Sequence, residues 1–343
     1  MGIFNLFKQE LAIDLGTANT LIIKDGVVVV DQPSIVAINR QTNQVIAVGR
    51  KAMLMHGKTH ENIKTIRPLK DGVIADFQAA ENLIQGLIEL IEEKRKLFSH
   101  LKIVICIPSG ITEVEKRAVF DSADHVDSKE TYLIHEPMAA ALGIGLDVEA
   151  PEGNMVVDIG GGTTEIAVIA LSGIVTDQSI RVAGDEFTND IIDFMKRKHN
   201  LLIGERTAED IKIGVGAAII DLAEPPPEFP VNGRDLLTGI PKQVFTNHED
   251  IAESLDKSIS KIEEAVLKAL EDTPPELASD IYHRGIYLTG GGALLRGLDI
   301  RLSRRTKLDV HIAEDPLRAV VRGTGLALKN SDQYSFLIDR QSL

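Results

Sequence analysis

The chain has no tryptophan, only four tyrosines and a single cysteine. One thiol cannot build an internal disulfide framework, so Cys106, set in the apolar run Lys102-Ile103-Val104-Ile105-Cys106-Ile107-Pro108, reads as a small core residue in a reducing compartment. No His/Cys spacing resembles a zinc site, and the nine histidines are scattered. No stretch approaches the ~18 to 20 apolar residues that a membrane-crossing helix needs, and the start lacks the basic-then-apolar layout of a signal peptide. Positive charge is also short. With 37 Lys+Arg against 51 Asp+Glu the formal net charge is −14, which argues against nucleic acid and against diffuse attraction to anionic lipid. Membrane contact, if any, must be local, and the expectation is a soluble or peripheral cytoplasmic protein. A P-loop is excluded because no G-x-x-x-x-G-K-[ST] occurs, and Gly143-Ile144-Gly145 has no strand before it and so is no Rossmann fingerprint.

What is present is enough for a sizeable core. At 343 residues and 44% hydrophobic the chain is globular and long enough for two domains. Strand-like runs cluster near the start (Leu11-Ala12-Ile13, Leu21-Ile22-Ile23, residues 27–30) and in the middle (Met155-Val156-Val157, residues 166–171). In each cluster two apolar runs flank an aspartate followed by Gly, Thr or Asn: Ile13-Asp14-Leu15-Gly16-Thr17-Ala18-Asn19-Thr20-Leu21, then Asp158-Ile159-Gly160-Gly161-Gly162-Thr163-Thr164-Glu165. These are hairpin signals of one kind, half a chain apart, and they point to a duplicated domain.

Strand-then-helix units complete each half and argue for an α/β fold. Residues 103–107 precede Thr112-Glu113-Val114-Glu115, a capping box that opens a helix, and Gly285-Ile286-Tyr287-Leu288-Thr289 precedes Gly290-Gly291-Gly292 and an expected helix through Leu295 and Leu298. Helical period places Leu83, Ile84, Leu87, Ile88 and Ile91 on one face and Ile251, Leu255, Ile259, Ile262 and Val266 on another; a third helix is expected from Asp185 to His199, with Asp185 as its N-cap. Residues 33–65 read as one insertion. In a second, Glu224-Pro225-Pro226-Pro227 reads as a rigid turn followed by a hairpin turning at Asn232-Gly233.

The glycine hairpins carry the chemistry. Without a Cβ, consecutive glycines let backbone N–H groups converge on an anion, and threonine hydroxyls add donors. Asp14 and Asp158 at the strand ends are placed to hold Mg²⁺ through water, since that ion keeps several of its waters. Two such hairpins facing each other would clamp a polyphosphate, and the third glycine turn, Thr289-Gly290-Gly291-Gly292-Ala293, suits a closely packed adenosine.

With these motifs in order, and with Ile134-His135-Glu136-Pro137-Met138-Ala139-Ala140-Ala141 between them, the chain resembles actin-superfamily ATPases, and among them the MreB family of bacterial actins, over almost its whole length. The resemblance implies two RNase H-like domains around an ATP cleft. Domain I would be 1–145, with a small subdomain at about 33–65 and the segment 315–343 returning to it; domain II would be 146–314, with a small subdomain at about 182–245. It implies that Thr17, Ala18 and Asn19, and Gly160, Gly161, Gly162 and Thr163, bind phosphates, and that Gly290, Gly291, Gly292 and Ala293 bind adenosine. Glu209 and Lys212 would line base and ribose from one helix face. Glu136 would orient the attacking water with Thr163 as helper; phosphoryl transfer needs positioning and charge neutralisation more than covalent help. A bland alternative for Glu136-Pro137 is a helix start.

The resemblance further implies a slow ATPase that polymerises with itself at the inner face of the cytoplasmic membrane, working with cell-wall elongation proteins such as RodZ, MreC and MreD. Two local anchors are candidates: Ile3, Phe4, Leu6 and Phe7 at the start, and Leu97-Phe98 after Lys94-Arg95-Lys96, where each basic residue adds about 1 kcal/mol near anionic lipid. Either alone is weak, which suits a polymer. The same cleft would also serve a chaperone, a small-molecule kinase or a non-hydrolysing scaffold. A chaperone would need a substrate-binding region beyond residues 319–325, and no aspartate base facing an acceptor pocket is identifiable.

Overall fold

The computed structural model describes residues 8–91, 100–126, 128–331, 333–334 and 338–340. Eleven of its strands form two large sheets. The first contains β1 (Lys8–Leu15), β2 (Asn19–Lys24), β3 (Val27–Pro33), β4 (His100–Ile107) and β5 (Ser128–His135); the second contains β6 (Asn154–Ile159), β7 (Thr164–Ala170), β8 (Gly173–Ile180), β9 (Ile286–Thr289) and β10 (Val310–Ile312). A last strand, β11 (Ile338–Arg340), is antiparallel to β5 at the edge of the first sheet. The first sheet runs β11-β5-β4-β1-β2-β3 and the second β10-β9-β6-β7-β8. In both, three antiparallel strands joined as a meander continue into two parallel strands reached by helical crossovers. The two halves therefore repeat one topology, as the paired hairpins implied.

Burial explains the composition of the strands. β6 and β7 are buried along their whole length, and away from the ends that carry Asp158, Thr164 and Glu165 they are rich in Val, Ile and Ala because helices cover both faces. Phe77–Ile91 and Glu113–Asp124 pack Leu83, Leu87, Val119 and Phe120 on one face of the first sheet, over Ile13, Ile103 and Leu133. Gly184–His199 and His248–Glu271 pack Phe187, Ile191, Leu255 and Ile262 on the far face of the second, over Val157 and Ile166.

Between the sheets lie Glu136–Gly143 and Ala319–Lys329, whose Met138, Leu142 and Val321 share one cluster with Val104 of the first sheet and Ala167 of the second. These two helices cross almost backbone to backbone: a Cβ on Gly143 would lie 1.8 Å from the Ala319 carbonyl oxygen, and one on Gly323 would lie 1.7 Å from that of Ala139. Only glycine permits the crossing. It brings Glu136, the first residue of its helix, to the junction of the two halves.

The local expectations fare unevenly. The Thr112/Glu115 capping box forms in both directions. Segment 33–65 contains the strands Val36–Asn39, Val45–Val48 and Ile63–Ile66 of one small sheet, whose last strand closes at residue 66. Asn232-Gly233, however, is not a turn. It lies inside the strand Phe229–Asp235, opposite Gln243 and Lys242, and the chain reverses at residues 236–240 with Gly239 at φ 76. Gly233 is small for another reason: a Cβ there would meet the Leu202 carbonyl oxygen at 2.6 Å, so a neighbouring strand needs the space. Asp185 is likewise not the N-cap, which is Ala183; it sits in the first turn, where its charge favours the helix dipole. The glycines at 290–292 enter a 3-10 turn, Gly291–Leu294, and the helix starts only at Leu298, because Leu295 is extended at ψ 120.

Candidate functional site: a cleft floored by two facing hairpins

The two glycine hairpins meet. Residues 16–18 connect β1 to β2, and the turn is held by Ser34, whose hydroxyl donates to the Gly16 carbonyl at 2.6 Å and whose amide donates to that of Ala18 at 2.9 Å. Opposite, residues 160–163 connect β6 to β7, closed by Gly160 N–H donating to the Thr163 carbonyl at 2.9 Å. A Cβ on Gly161 would stand 2.7 Å from Ala18 Cβ and 3.0 Å from Ala18 N; one on Gly162 would stand 2.6 Å from Thr17 Oγ1. The glycines are therefore needed for hairpin to approach hairpin as much as for any ligand. A third turn closes against them. Asp71 and Gly72 both have positive φ, as a two-residue hairpin turn requires; Gly72 N–H donates to Thr17 Oγ1 at 3.0 Å, and Gly72 packs on the Thr163 side chain. Asn19 stands exposed at the start of β2.

A polar wall rises beside the second hairpin. Gly184 N–H and Asp185 N–H donate to the Gly160 and Gly161 carbonyls at 3.1 and 2.7 Å, so the start of Gly184–His199 fixes the glycine turn. Lys212 Nζ reaches back from Glu205–Val215 to the Gly184 carbonyl at 2.8 Å, Glu209 at 2.7 Å and Thr188 Oγ1 at 3.1 Å, and Thr188 donates to Glu209 at 3.0 Å. Glu209 and Lys212, expected on one helix face, thus form an ion pair with each other, tied to the glycine turn through one carbonyl. Nearer the mouth, Arg67 of the first half reaches Glu205 of the second at 3.4 Å. On the other wall Gly290, at φ 78, passes so close to β6 that a Cβ would lie 2.3 Å from the Ile159 carbonyl oxygen, and Gly292 packs on the Ile159 side chain while Ala293 is buried.

Four carboxylates gather under the hairpins. Burial raises Asp14 to about 6, less a contribution from the Cys106 thiol, which donates to Asp14 Oδ1 at 3.3 Å. Burial raises Asp158 to about 7, opposed by the Thr289 hydroxyl, which donates to Asp158 Oδ1 at 2.9 Å. Glu136 is pushed well above the usual range by desolvation, then by the charges of Glu165, Asp14 and Asp158. Glu165 is raised by burial, although Ser179 Oγ–H at 2.6 Å and Ser109 N–H at 3.1 Å both donate to it. Carboxylates held this close without a cation resist ionising together; a divalent ion among them reverses that logic. Among the described residues no three His, Cys, Asp or Glu side chains converge on one point to hold an ion directly.

Ile3, Phe4, Leu6, Phe7, Leu97 and Phe98 lie outside the described residues. No described helix is long and apolar enough to cross a membrane. Sequence reasoning passed over Cys106 as a ligand of Asp14, Glu165, Ser109 and Asp71-Gly72. A Pro-Ser-Gly step directly after β4 and an Asp-Gly pair were visible, but nothing in their spacing aimed them at the second half.

A doubled 3-2-1-4-5 sheet with glycine hairpins facing across a cleft, and two helices crossing between the sheets, is an actin-like nucleotide-cleft architecture. The comparisons narrow the class. Residues 8–335 match the family model described as MreB/Mbl protein. The chain is 47% identical over 334 residues to the cell shape-determining protein MreB of Escherichia coli K12, covering 96% of each. It is 46% identical over 329 residues to the cell shape-determining protein Mbl of Bacillus subtilis 168, covering 96% of this chain and 98% of that one. The structure of MreB5 of Spiroplasma citri bound to AMPPNP superposes with a TM-score of 0.90 at 37% identity, over 96% of this chain and 98% of that one. A MamK double helical filament shares the fold, with a TM-score of 0.76 at 19% identity over 95% and 99%. The chain belongs to the MreB/Mbl family of actin-like, cell shape-determining proteins.

Proposed function

We propose that this chain binds ATP with Mg²⁺ between its facing hairpins, hydrolyses it slowly, and adds head to tail to copies of itself in filaments along the inner face of the cytoplasmic membrane. The contact of Gly161 with Ala18 carries this reading: it sets two amide-rich turns close enough to hold one phosphate chain from both sides. The Spiroplasma relative is described bound to AMPPNP and to ADP.

In this reading the amides of 17–19 and 160–163 receive the phosphates, Gly290, Gly291, Gly292 and Ala293 accept the adenosine, and Glu209 and Lys212 border base and ribose. The donor set suits Mg²⁺: Asp158 is buried and Asp14 half-buried, and each carboxylate is steadied by one neutral donor. When bound, the ion would neutralise phosphate charge, held by these aspartates through its waters. Glu136 orients the attacking water and accepts its proton as the water adds. Thr163, buried against Gly72, keeps the turn beside that water. The halves are taken as 1–145 with 315–343, and 146–314, moving about the crossing helices. Weak anchors at residues 3–7 and 97–98 gain avidity from the polymer, and heterologous contacts that do not close give open filaments. Wall-elongation proteins such as RodZ, MreC and MreD are the partners on the membrane side.

The test is electron microscopy with ATP, Mg²⁺ and anionic liposomes, beside phosphate release by the wild type and Glu136→Ala. Membrane-bound filaments are expected, and the variant should bind ATP while its phosphate release collapses. Absence of polymer, or unchanged release, refutes the corresponding part.

A further inference from the structure

The second hairpin ends in an acidic residue, Glu165, that the nucleotide-binding scheme does not use. Strand registers show what it is. Across the second sheet, Thr289, Asp158, Glu165 and Ser179 form one row on four neighbouring strands, with Asp158 opposite Thr289, Glu165 opposite Asp158 and Ser179 opposite Glu165. A hydroxyl at each end donates to the carboxylate beside it. The first sheet begins its row in the same register: Asp14 faces Leu21, and Cys106, one step beyond the Ile13–Ile105 pair, donates to Asp14 as Thr289 donates to Asp158. The repeat breaks on the next two strands, for Asp31 faces Leu21 where Ser179 faces Glu165. Where the first half has Leu21, buried in the core between the sheets, the second has Glu165, 1% exposed. A carboxylate this deep costs far more to bury than a leucine unless it is used.

Its use is visible in its second oxygen. Oε2 leaves its own sheet and accepts the Ser109 N–H of the first half at 3.1 Å, while Oε1 is fixed by Ser179. Ser109 follows β4 in the sequence Pro108-Ser109-Gly110. Pro108 packs against Gly72, which packs on Thr163, and a Cβ on Gly110 would be 3.2 Å from that of Ser179. The Ser109 hydroxyl is buried with no partner in the protein. The loop is thus pinned at one atom to the strand that leaves the phosphate turn, beside Glu136.

We propose that Glu165 is a positioning residue: by tying the loop 108–110 of the first half to β7 and β8 of the second, it holds Thr163 and Glu136 in the arrangement from which water attacks. It acts through these residues and does not touch the nucleotide. The proposal rests on the hydrolytic reading above, and its test separates the two.

The informative pair is Glu165→Leu, which installs the residue of the other half, and Glu165→Gln, whose carbonyl still accepts from Ser109 while its amide donates to Ser179. Hydrolysis is measured per pelleted polymer, and amide exchange at Ser109 is measured without nucleotide. Glu165→Leu is expected to lower kcat about 100-fold with KM for ATP within about threefold, because a displacement near 1 Å costs that much. Its Ser109 amide should exchange at least about tenfold faster. Glu165→Gln should stay within about threefold of the wild type in both. Wild-type kcat or wild-type exchange in Glu165→Leu overturns the proposal, as does a Gln variant as slow as Leu. A wild type that does not hydrolyse ATP strikes the functional reading instead, and the exchange arm alone then decides the clasp. Where Glu165→Leu is too unstable to assay, Ser179→Ala takes its place: the same loss of kcat and faster Ser109 exchange support the clasp, and wild-type values of either overturn it.

Discussion

Replacing Gly161 with alanine adds one methyl at the point where the hairpins touch. That methyl would lie 2.7 Å from Ala18 Cβ, against an ordinary contact of 3.4 Å or more. The turns must therefore part by about 0.7 Å or more, or Ala18 must move, and both neighbours are backbone-anchored. Overpacking of this kind costs about 1–3 kcal/mol. Because the strain falls between the two surfaces said to share one ligand, most of it should appear in binding, as a 5- to 150-fold weaker affinity for ATP with Mg²⁺. Gly173→Ala is the control, since its nearest neighbour would be 3.7 Å away. Calorimetric titration of both variants and the wild type measures the effect, and circular dichroism checks that the fold persists. A Gly161→Ala protein that binds ATP as the wild type does would refute the reasoning.

Gly323→Ala forces a methyl to 1.7 Å from a carbonyl oxygen at the helix crossing and should destabilise by more than about 3 kcal/mol, read as a lower melting temperature; an unchanged one would contradict the crossing geometry. Asp14 at about 6 and Asp158 at about 7, against an ordinary 3.8, make the folded protein bind more protons than the unfolded chain. Their contribution to stability is therefore present at low pH and lost as pH rises from about 4 through 7, on the order of 3–4 kcal/mol apiece without nucleotide. Melting curves from pH 5 to 8 in chelator should show that decline, and Mg²⁺ with ATP should flatten it; a melting temperature that rises with pH in chelator would contradict it. Lys212→Met leaves the Gly184 carbonyl, Glu209 and Thr188 without their shared cation and should weaken ATP binding about tenfold, measured by fluorescent-nucleotide titration.

Much of this was readable from residue order because the repeated features are local. Asp14 and Asp158 each end an apolar run and precede a short Gly/Thr turn, and the Thr112/Glu115 spacing is itself a physical contact. Helix stripes such as Leu83 to Ile91 announce which face is covered. Failures came where a residue serves a distant neighbour. Gly233 looked like a turn and is a gap for Leu202; Cys106 looked like filler and is the counterpart of Thr289; Glu165 looked like the tail of a motif and reaches the other half. Such pairings, 56 residues apart for Glu165 and Ser109, follow from sheet register and are invisible in spacing.

A structure of the protein with ATP and Mg²⁺ bound tests the central claim most directly. The account predicts the phosphate chain between the amides of 17–19 and those of 160–163, with Asp14 and Asp158 beneath it. A nucleotide lodged elsewhere, or phosphates held by only one of the two turns, would contradict it.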